Sequence, residues 1–289
     1  MLKQQYIIQK IKFAILAMAI IALPAFSQSQ KELYIYHTND THSRIEPFSA
    51  EYQDTLLAGK AGVIRRATFI KQERKAHKDL LMLDAGDFSQ GTPYYNMFKG
   101  EVEIKMMNEI GYDAGTIGNH EFDFGLDNMA RLFKMANFPI VCSNYDVTGT
   151  VLEGLVKDYI ILNRDGLKIG IFGLGAQLDG LVATHCYGNV KFKDPVSEAQ
   201  RVSDILRNSE HCDVIICLSH LGCKESSYYS DMELIENTNN IDVVIGGHSH
   251  TYFTEPRFLK NLDGKEIPLQ QMGKNGAFVG KIVLKLNKN

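Results

Sequence analysis

The chain has 289 residues, 45% of them hydrophobic, with a net charge of −3 and a pI near 6.3. That is enough sequence for a sizeable core. The slight acidic balance leaves no electrostatic footprint for a nucleic acid polymer, and no repeat or low-complexity tract stands out.

Lys3, Lys10 and Lys12 precede an apolar run from Phe13 to Leu23, followed by Pro24, Ala25, Phe26 and Ser27. This order predicts a secretory signal over residues 1–27, cut after Ser27, and hence export to a periplasm or the extracellular space. A membrane helix needs about 20 apolar residues, so the run is too short to predict a stable anchor. Residues 28–289 contain no Pro/Gly/Ser-rich linker and read as one domain.

Glu32–Tyr36 reads as a first strand, ending in His37-Thr38-Asn39-Asp40-Thr41-His42. Gly62–His77 has helical spacing, with Val63, Ala67 and Ile70 facing the core and Arg65, Arg66, Lys71 and Arg74 facing out. Leu80–Leu83 is apolar throughout, too short for a helix, and predicts a buried strand ending in Asp84-Ala85-Gly86-Asp87. Met97–Ile110 predicts a helix, Tyr112–Ile117 a strand, Leu126–Ala136 a helix and Phe138–Val141 a strand. Val156–Leu162 and Lys168–Leu174 read as a hairpin around Asn163-Arg164-Asp165-Gly166. Pro195–Asn208 is a helix, Val214–Leu218 a strand, Met232–Asn237 a short helix and Ile241–Ile245 a strand. Ile267–Gln271 and Ala277–Leu286 close the chain as strands. Strands alternate with helices and then with hairpins, which predicts an α/β layered fold with mixed sheets.

Polar clusters sit where ligands bind in such folds, just beyond the carboxyl ends of strands. They are Asp40 with His42, Asp87, Asn119 with His120, His220, and His248 with His250. Gly118-Asn119-His120-Glu121-Phe122-Asp123 concentrates an amide, an imidazole and two carboxylates, which is tolerated beside a core when they are paired or bound to metal. Carboxylate, imidazole and amide donors suit hard-to-borderline divalent cations. So many donors exceed one ion and suit two, about 3.5–4 Å apart and sharing a carboxylate. Spacing alone does not say which carboxylate is shared. Cys142, Cys186, Cys212, Cys217 and Cys223 are odd in number and form no CxxC pair, so no thiolate site is expected. Cys217, inside an apolar run, reads as a small buried hydrophobe.

The motifs Asn-Asp-Thr-His (39–42), Gly-Asp (86–87), Gly-Asn-His-Glu (118–121), Ser-His-Leu-Gly (219–222) and Gly-Gly-His-Ser-His (246–250) resemble the calcineurin-like metallophosphoesterases. Gly91-Thr92-Pro93 and Phe122-Asp123-Phe124-Gly125 narrow the resemblance to the amino-terminal catalytic domain of the 5′-nucleotidase/UDP-sugar hydrolase family. The resemblance implies a single-domain, four-layer α/β/β/α sandwich. It also implies two divalent ions, whether zinc, manganese, iron, magnesium or cobalt. Asp40, His42, Asp87 and His250 would hold the first; Asp87, as the bridge, would hold the second with Asn119, His220 and His248. A hydroxide on these metals would attack phosphorus in line. His120, oriented by Asp123, would stabilise phosphoryl oxygens or protonate the leaving group, while Asn119 and His120 face the phosphate.

Other readings stay open at this level. Asp123 can instead cap the helix that follows. His37 packs or orients Asp40; His77 closes a basic helix; Arg44 touches phosphate or lies in solvent; Tyr94 and Tyr95 line the mouth or the core. Glu121 reads as support. Two-domain relatives carry a nucleotide-recognition domain after the Gly-Gly-His-Ser-His region, absent from this sequence. A separate polypeptide supplying it is therefore one expectation. The activity is expected to be 5′-nucleotidase-like, or a broader phosphoesterase on UDP-sugars, cyclic nucleotides or small esters; an inactive binding subunit is the third reading.

Overall fold

The uninterrupted apolar runs become strands buried on both faces. The computed structural model describes residues 31–223 and 229–286, with its main body over Glu32–Leu284. The expected signal segment lies outside the described residues. In chain order the strands are β1 (Lys31–Thr38), β2 (Leu81–Asp84), β3 (Ala114–Gly115), β4 (Ile140–Val141), β5 (Tyr145–Asp146), β6 (Val156–Lys157), β7 (Tyr159–Arg164), β8 (Leu167–Leu174), β9 (Lys191–Phe192), β10 (Val214–Ser219), β11 (Val243–Gly246), β12 (Arg257–Lys260), β13 (Glu266–Gln270) and β14 (Gly280–Leu286). The α-helices are α1 (Val63–Ala76), α2 (Pro93–Phe98), α3 (Glu101–Ile110), α4 (Gly125–Met135), α5 (Thr184–Tyr187), α6 (Pro195–Asp204) and α7 (Asp231–Glu236). None of the described helices is long and apolar enough to cross a membrane.

Two six-stranded sheets form, ordered β14-β1-β2-β3-β4-β6 and β12-β13-β11-β10-β8-β7, with β5 and β9 paired apart. Strand alternation sends Tyr36 and Met82 to one face, where Ile70 of α1, Ile104 of α3 and Met129 of α4 cover them. In the second sheet Phe172, Cys217 and Val244 meet Ala199 and Val202 of α6 and Leu234 of α7. The alternate residues, among them Ile35, Leu81, Leu83, Ile171, Ile216 and Ile245, are buried on the opposite faces. This is the four-layer α/β/β/α arrangement. Each fully buried Leu or Ile contributes roughly 2 kcal/mol of transfer free energy. The sheets pack closely at Gly173, where a Cβ would lie 2.2 Å from Thr116 Oγ1 and Val141 O. Ser143 N–H donates to Gly173 O there at 2.8 Å.

Four details depart from the sequence expectations. The Met97–Ile110 helix is two helices, because Lys99 (φ 54°) and Gly100 (φ 95°) turn the chain into the left-handed region. The Val156–Leu162 strand is divided: Val156–Lys157 joins β4 in the first sheet, and Tyr159–Arg164 pairs antiparallel with β8 in the second. Strand β12 had no apolar signal, because Arg257 and Lys260 keep this edge exposed. Arg66 faces inward, not outward: it sits three residues after Val63 and four before Ile70, on the buried stripe. All five cysteines are buried and free.

The parallel registers bring the strand ends to one level. Thr38 lies opposite Asp84, Asp84 opposite Gly115, and Ser219 opposite Gly246. The polar clusters that follow these residues therefore emerge together.

Candidate metal centre

Two donor triads form where those strands end. Ligand atoms of Asp40, His42 and His250 lie within 4.8 Å of one another, and so do those of Asp87, His220 and His248. Asp40 Oδ1 is 3.3 Å from His250 Nε2, 3.8 Å from His42 Nε2 and 3.9 Å from His220 Nε2. One carboxylate thus faces both triads. Asp87 Oδ2 lies 3.1 Å from His220 Nε2.

The donor set fits divalent cations on three observations. His42 Nε2 and His250 Nε2 lie 2.9 Å apart, and Asp40 Oδ1 lies 3.8 and 3.3 Å from them, a nitrogen and oxygen cluster of the kind divalent cations take. Asn119 Oδ1 is buried without a hydrogen-bond partner, although protein interiors rarely tolerate this, and His220 Nε2 is buried facing only the Asp87 and Asp40 carboxylates. Asp40, His42, Asp87, His248 and His250 all have φ between 46° and 68°. Side-chain-bearing residues pay on the order of 1–3 kcal/mol to stay in that region, and such strain clusters at functional sites.

Electrostatics agree with a charge-rich centre. Burial opposes charge on His220, but the Asp87 carboxylate overcomes it and pushes the imidazole up to about 10. Burial likewise works against the Asp87 carboxylate, and His220 nevertheless holds it well below the usual range. Burial and the charge of His220 push His248 down to about 4, which keeps a neutral, ligand-competent ring.

Backbone and side-chain contacts fix the donors. His220 Nδ1 meets Ala85 O at 2.6 Å, leaving Nε2 to the centre. Asn39 Nδ2 reaches Asp40 Oδ2 at 2.6 Å and Gly273 O at 2.8 Å. Glu121 is the support expected: its carboxylate accepts the N–H groups of Asp87 (2.9 Å), Gly118 (2.7 Å) and Ser89 (3.3 Å). Gln271, which the sequence reading passed over, grips the His248–His250 loop at both ends. Its Nε2 donates to Gly247 O at 2.7 Å, and its Oε1 accepts Ser249 Oγ at 3.0 Å and Thr251 N–H at 2.5 Å. A polar residue just beyond β13 carries the same strand-end signal that marked the other clusters.

His120 stands beside the first triad, its ring centroid 5.5 Å from that of His42. Its Nδ1 lies 2.9 Å from Asp123 Oδ2, and both side chains are about one-third exposed (31% and 36%). Burial disfavours charge on His120, but the Asp123 hydrogen bond and the Asp87 charge outweigh it and raise its pKa. Asp123 does not cap α4, whose N-cap is Phe124.

The remaining candidates fall elsewhere. His37 is fully buried and pairs with Gln270 Oε1 at 3.1 Å, so it does not orient Asp40. His77 terminates α1 and stacks on Tyr34 at 3.5 Å. Arg44 lies over the Phe48 ring at 4.3 Å. Tyr95 is buried beneath the site, its hydroxyl donating to His120 O, while Tyr94 bonds Glu46.

A family profile described as calcineurin-like phosphoesterase matches residues 33–252. A snake venom 5′-nucleotidase from Gloydius brevicauda is 36% identical over 267 residues, covering 86% of this chain and 44% of that protein. The chain spans about half the length of the curated relatives it matches. The crystal structure of a 5′-nucleotidase precursor from Thermus thermophilus superimposes with a TM-score of 0.79 at 32% identity, over 88% of this chain and 51% of that one. A calcineurin-like phosphoesterase from Bacillus subtilis gives a TM-score of 0.73 at 28% identity, over 90% and 86%.

Proposed function

The chain belongs to the calcineurin-like phosphoesterase family, and on that premise we propose that it hydrolyses the phosphomonoester of nucleotides with two divalent cations. The observation that carries this reading is the meeting of two donor triads with the His120–Asp123 pair beside them. Asp40, His42 and His250 would hold one cation, and Asn119, His220 and His248 the other, with Asp87 shared. Cations there would neutralise phosphoryl charge and make water acidic enough to attack at neutral pH.

The rest falls to the chain's own side chains. Asp123 Oδ2 holds Nδ1 of His120, which fixes the ring and leaves Nε2 to donate. Protonated His120 then hydrogen-bonds a phosphoryl oxygen, or passes its Nε2 proton to the leaving alkoxide. Glu121 keeps the Asp87 and Gly118–Asn119 backbones at fixed separation, so the donors need no rearrangement when phosphate arrives.

The nucleotide as substrate rests on the relatives named 5′-nucleotidases. A separate polypeptide that recognises the nucleoside belongs to this proposal. So does export, supported by Lys3, Lys10, Lys12 and the apolar run to Leu23. A second reading, a broader phosphoesterase, is favoured by the similar protein that this chain covers to 86%, described only as a calcineurin-like phosphoesterase. A phosphate-release panel decides. Protein loaded separately with zinc, manganese, iron, magnesium or cobalt meets AMP, a UDP-sugar, a cyclic nucleotide and an aryl phosphate, with and without co-purifying polypeptides. Preference for AMP is the expected result. Comparable rates throughout favour the second reading, and no release under any condition removes both.

A further inference from the structure

Arg66 has an unusual situation for an arginine. The residue is 8% exposed, and its Nε has no hydrogen-bond partner. The Asp84 carboxylate senses its charge but is itself engaged by Thr38 Oγ1 at 2.6 Å and Gly86 N–H at 3.0 Å. An unpaired buried Nε is costly, and the rest of the guanidinium lines an open pocket without a protein acceptor, so an anion is the partner it lacks.

A pocket of about 440 Å³ opens at this point. Lys60, Arg65 and Arg66 line it together with Phe69 and Phe278, and no acidic residue does. Gly276 forms another part of the wall. A Cβ there would come within 2.3 Å of Arg66 Nη1, so the chain passes close beside the guanidinium. The pocket also receives the N-terminus of α1. Its N-cap is Gly62, which supplies no side-chain cap, and the first turn holds no acidic residue. Ile45 O takes the Val63 N–H at 3.0 Å, and the Ile64 and Arg65 N–H groups and the positive dipole end are left for an anion. The Phe278 ring stacks on Tyr252 at 4.2 Å and carries Lys60 Nζ 4.8 Å from its centroid, which makes it a rigid, electropositive platform.

We propose that this pocket is a second ligand site, separate from the metal centre, for a small phosphate-bearing molecule with a planar ring. The phosphate would take Arg66, Arg65 and the α1 N-terminus, and the ring would lie on the Phe278 face that Lys60 Nζ now covers, with Lys60 turning to the phosphate. The segment that floors the pocket also touches the metal centre: Asn275 N–H donates to Asp40 O at 2.7 Å. The site is independent of any catalytic step and would bind in a protein that released no phosphate.

Calorimetric titration of the metal-loaded protein with a non-hydrolysable nucleoside 5′-phosphonate tests this. Two sites per chain are expected. The Lys60→Ala/Arg65→Ala variant should keep one and weaken the other by about tenfold or more, as loss of charge-assisted contacts implies. Lys60→Ala alone should show a smaller loss without disturbing the bond from Arg65 to Gly59 O. Phosphate release at saturating substrate should not change in either variant. Sites whose affinities neither variant changes, whether one or two, would overturn the proposal, whereas a single site weakened by the double variant upholds it and removes phosphonate binding at the metal centre instead. Equal second-site affinity for inorganic phosphate and the phosphonate would overturn its stacking half.

Discussion

Asp87 and Glu121 hold each other's loops. Asp87 N–H donates to Glu121 Oε2 at 2.9 Å, and the Asp87 carboxylate accepts His120 N–H at 2.9 Å. Each carboxylate secures the backbone that carries the other, and neither loop can shift alone. Glu121→Ala should therefore cost about 10–100-fold in cation affinity although Glu121 is no expected ligand. Metal content after dialysis against graded free cation checks this. Wild-type affinity in the variant would mean that the loops hold their places without it.

Asn119 and His120 are neighbours with separable duties. Asn119→Ala should lose the second cation and activity together. His120→Asn should retain both cations and lower kcat by about 10²–10⁴-fold. Metal analysis beside steady-state kinetics separates them. A His120→Asn protein stripped of metal would reverse the assignment.

Gln271 reaches a loop that serves both triads. Gln271→Leu keeps most of the volume but removes the contacts to Gly247 O and Thr251 N–H. Affinity for both cations should fall together, by roughly tenfold or more. Gln271→Glu should do no better, because a carboxylate oxygen would then face Gly247 O. Loss of one cation with the other unaffected would refute this shared role.

Removing cations should lower thermal stability. Five donor residues have left-handed backbones, and Asp40 and Asp87 face the same small volume. Bound ions offset both costs. At 100-fold saturation each ion contributes roughly 3 kcal/mol, so chelation should lower the Tm by on the order of 10 °C. Calorimetry with and without chelator measures it.

Asp231, which is not among the donors but bonds Ser219 beside His220, sets a pH dependence of its own. Burial pushes its carboxyl up to about 8, against the hydrogen bond from Ser219 Oγ at 2.5 Å. The folded chain therefore keeps a proton that the unfolded chain releases near 3.8. This contribution to stability is complete below that value and is lost as pH rises toward 8, with a slope of at most about 1.4 kcal/mol per pH unit. Asp231→Asn should flatten urea-unfolding stability across that window. An unchanged slope would assign the dependence to other groups.

The strand-end polar clusters were legible because burial is read from apolar runs, and a carboxylate or imidazole directly after one stands out. The His120–Asp123 contact was implied by the family resemblance, and the two side chains meet at 2.9 Å. Supporting groups were harder to see. Gln271 follows a strand too, but an amide carries no charge to draw attention. Arg66 was placed outward on charge alone, whereas its spacing from Val63 and Ile70 puts it on the buried stripe. The division of Val156–Arg164 between two sheets depends on which partner each half finds, and no local pattern encodes that.

The five free cysteines give the molecule an internal clock. Each thiol is buried, and burial raises Cys142 to about 12, so little thiolate is presented while the fold is closed. The positions are spread from β4's end to the loop after β10, so they sample both sheets. An alkylating reagent consumes thiols only as fast as the structure opens, and peptide mapping of the label would time each half's opening without an added probe.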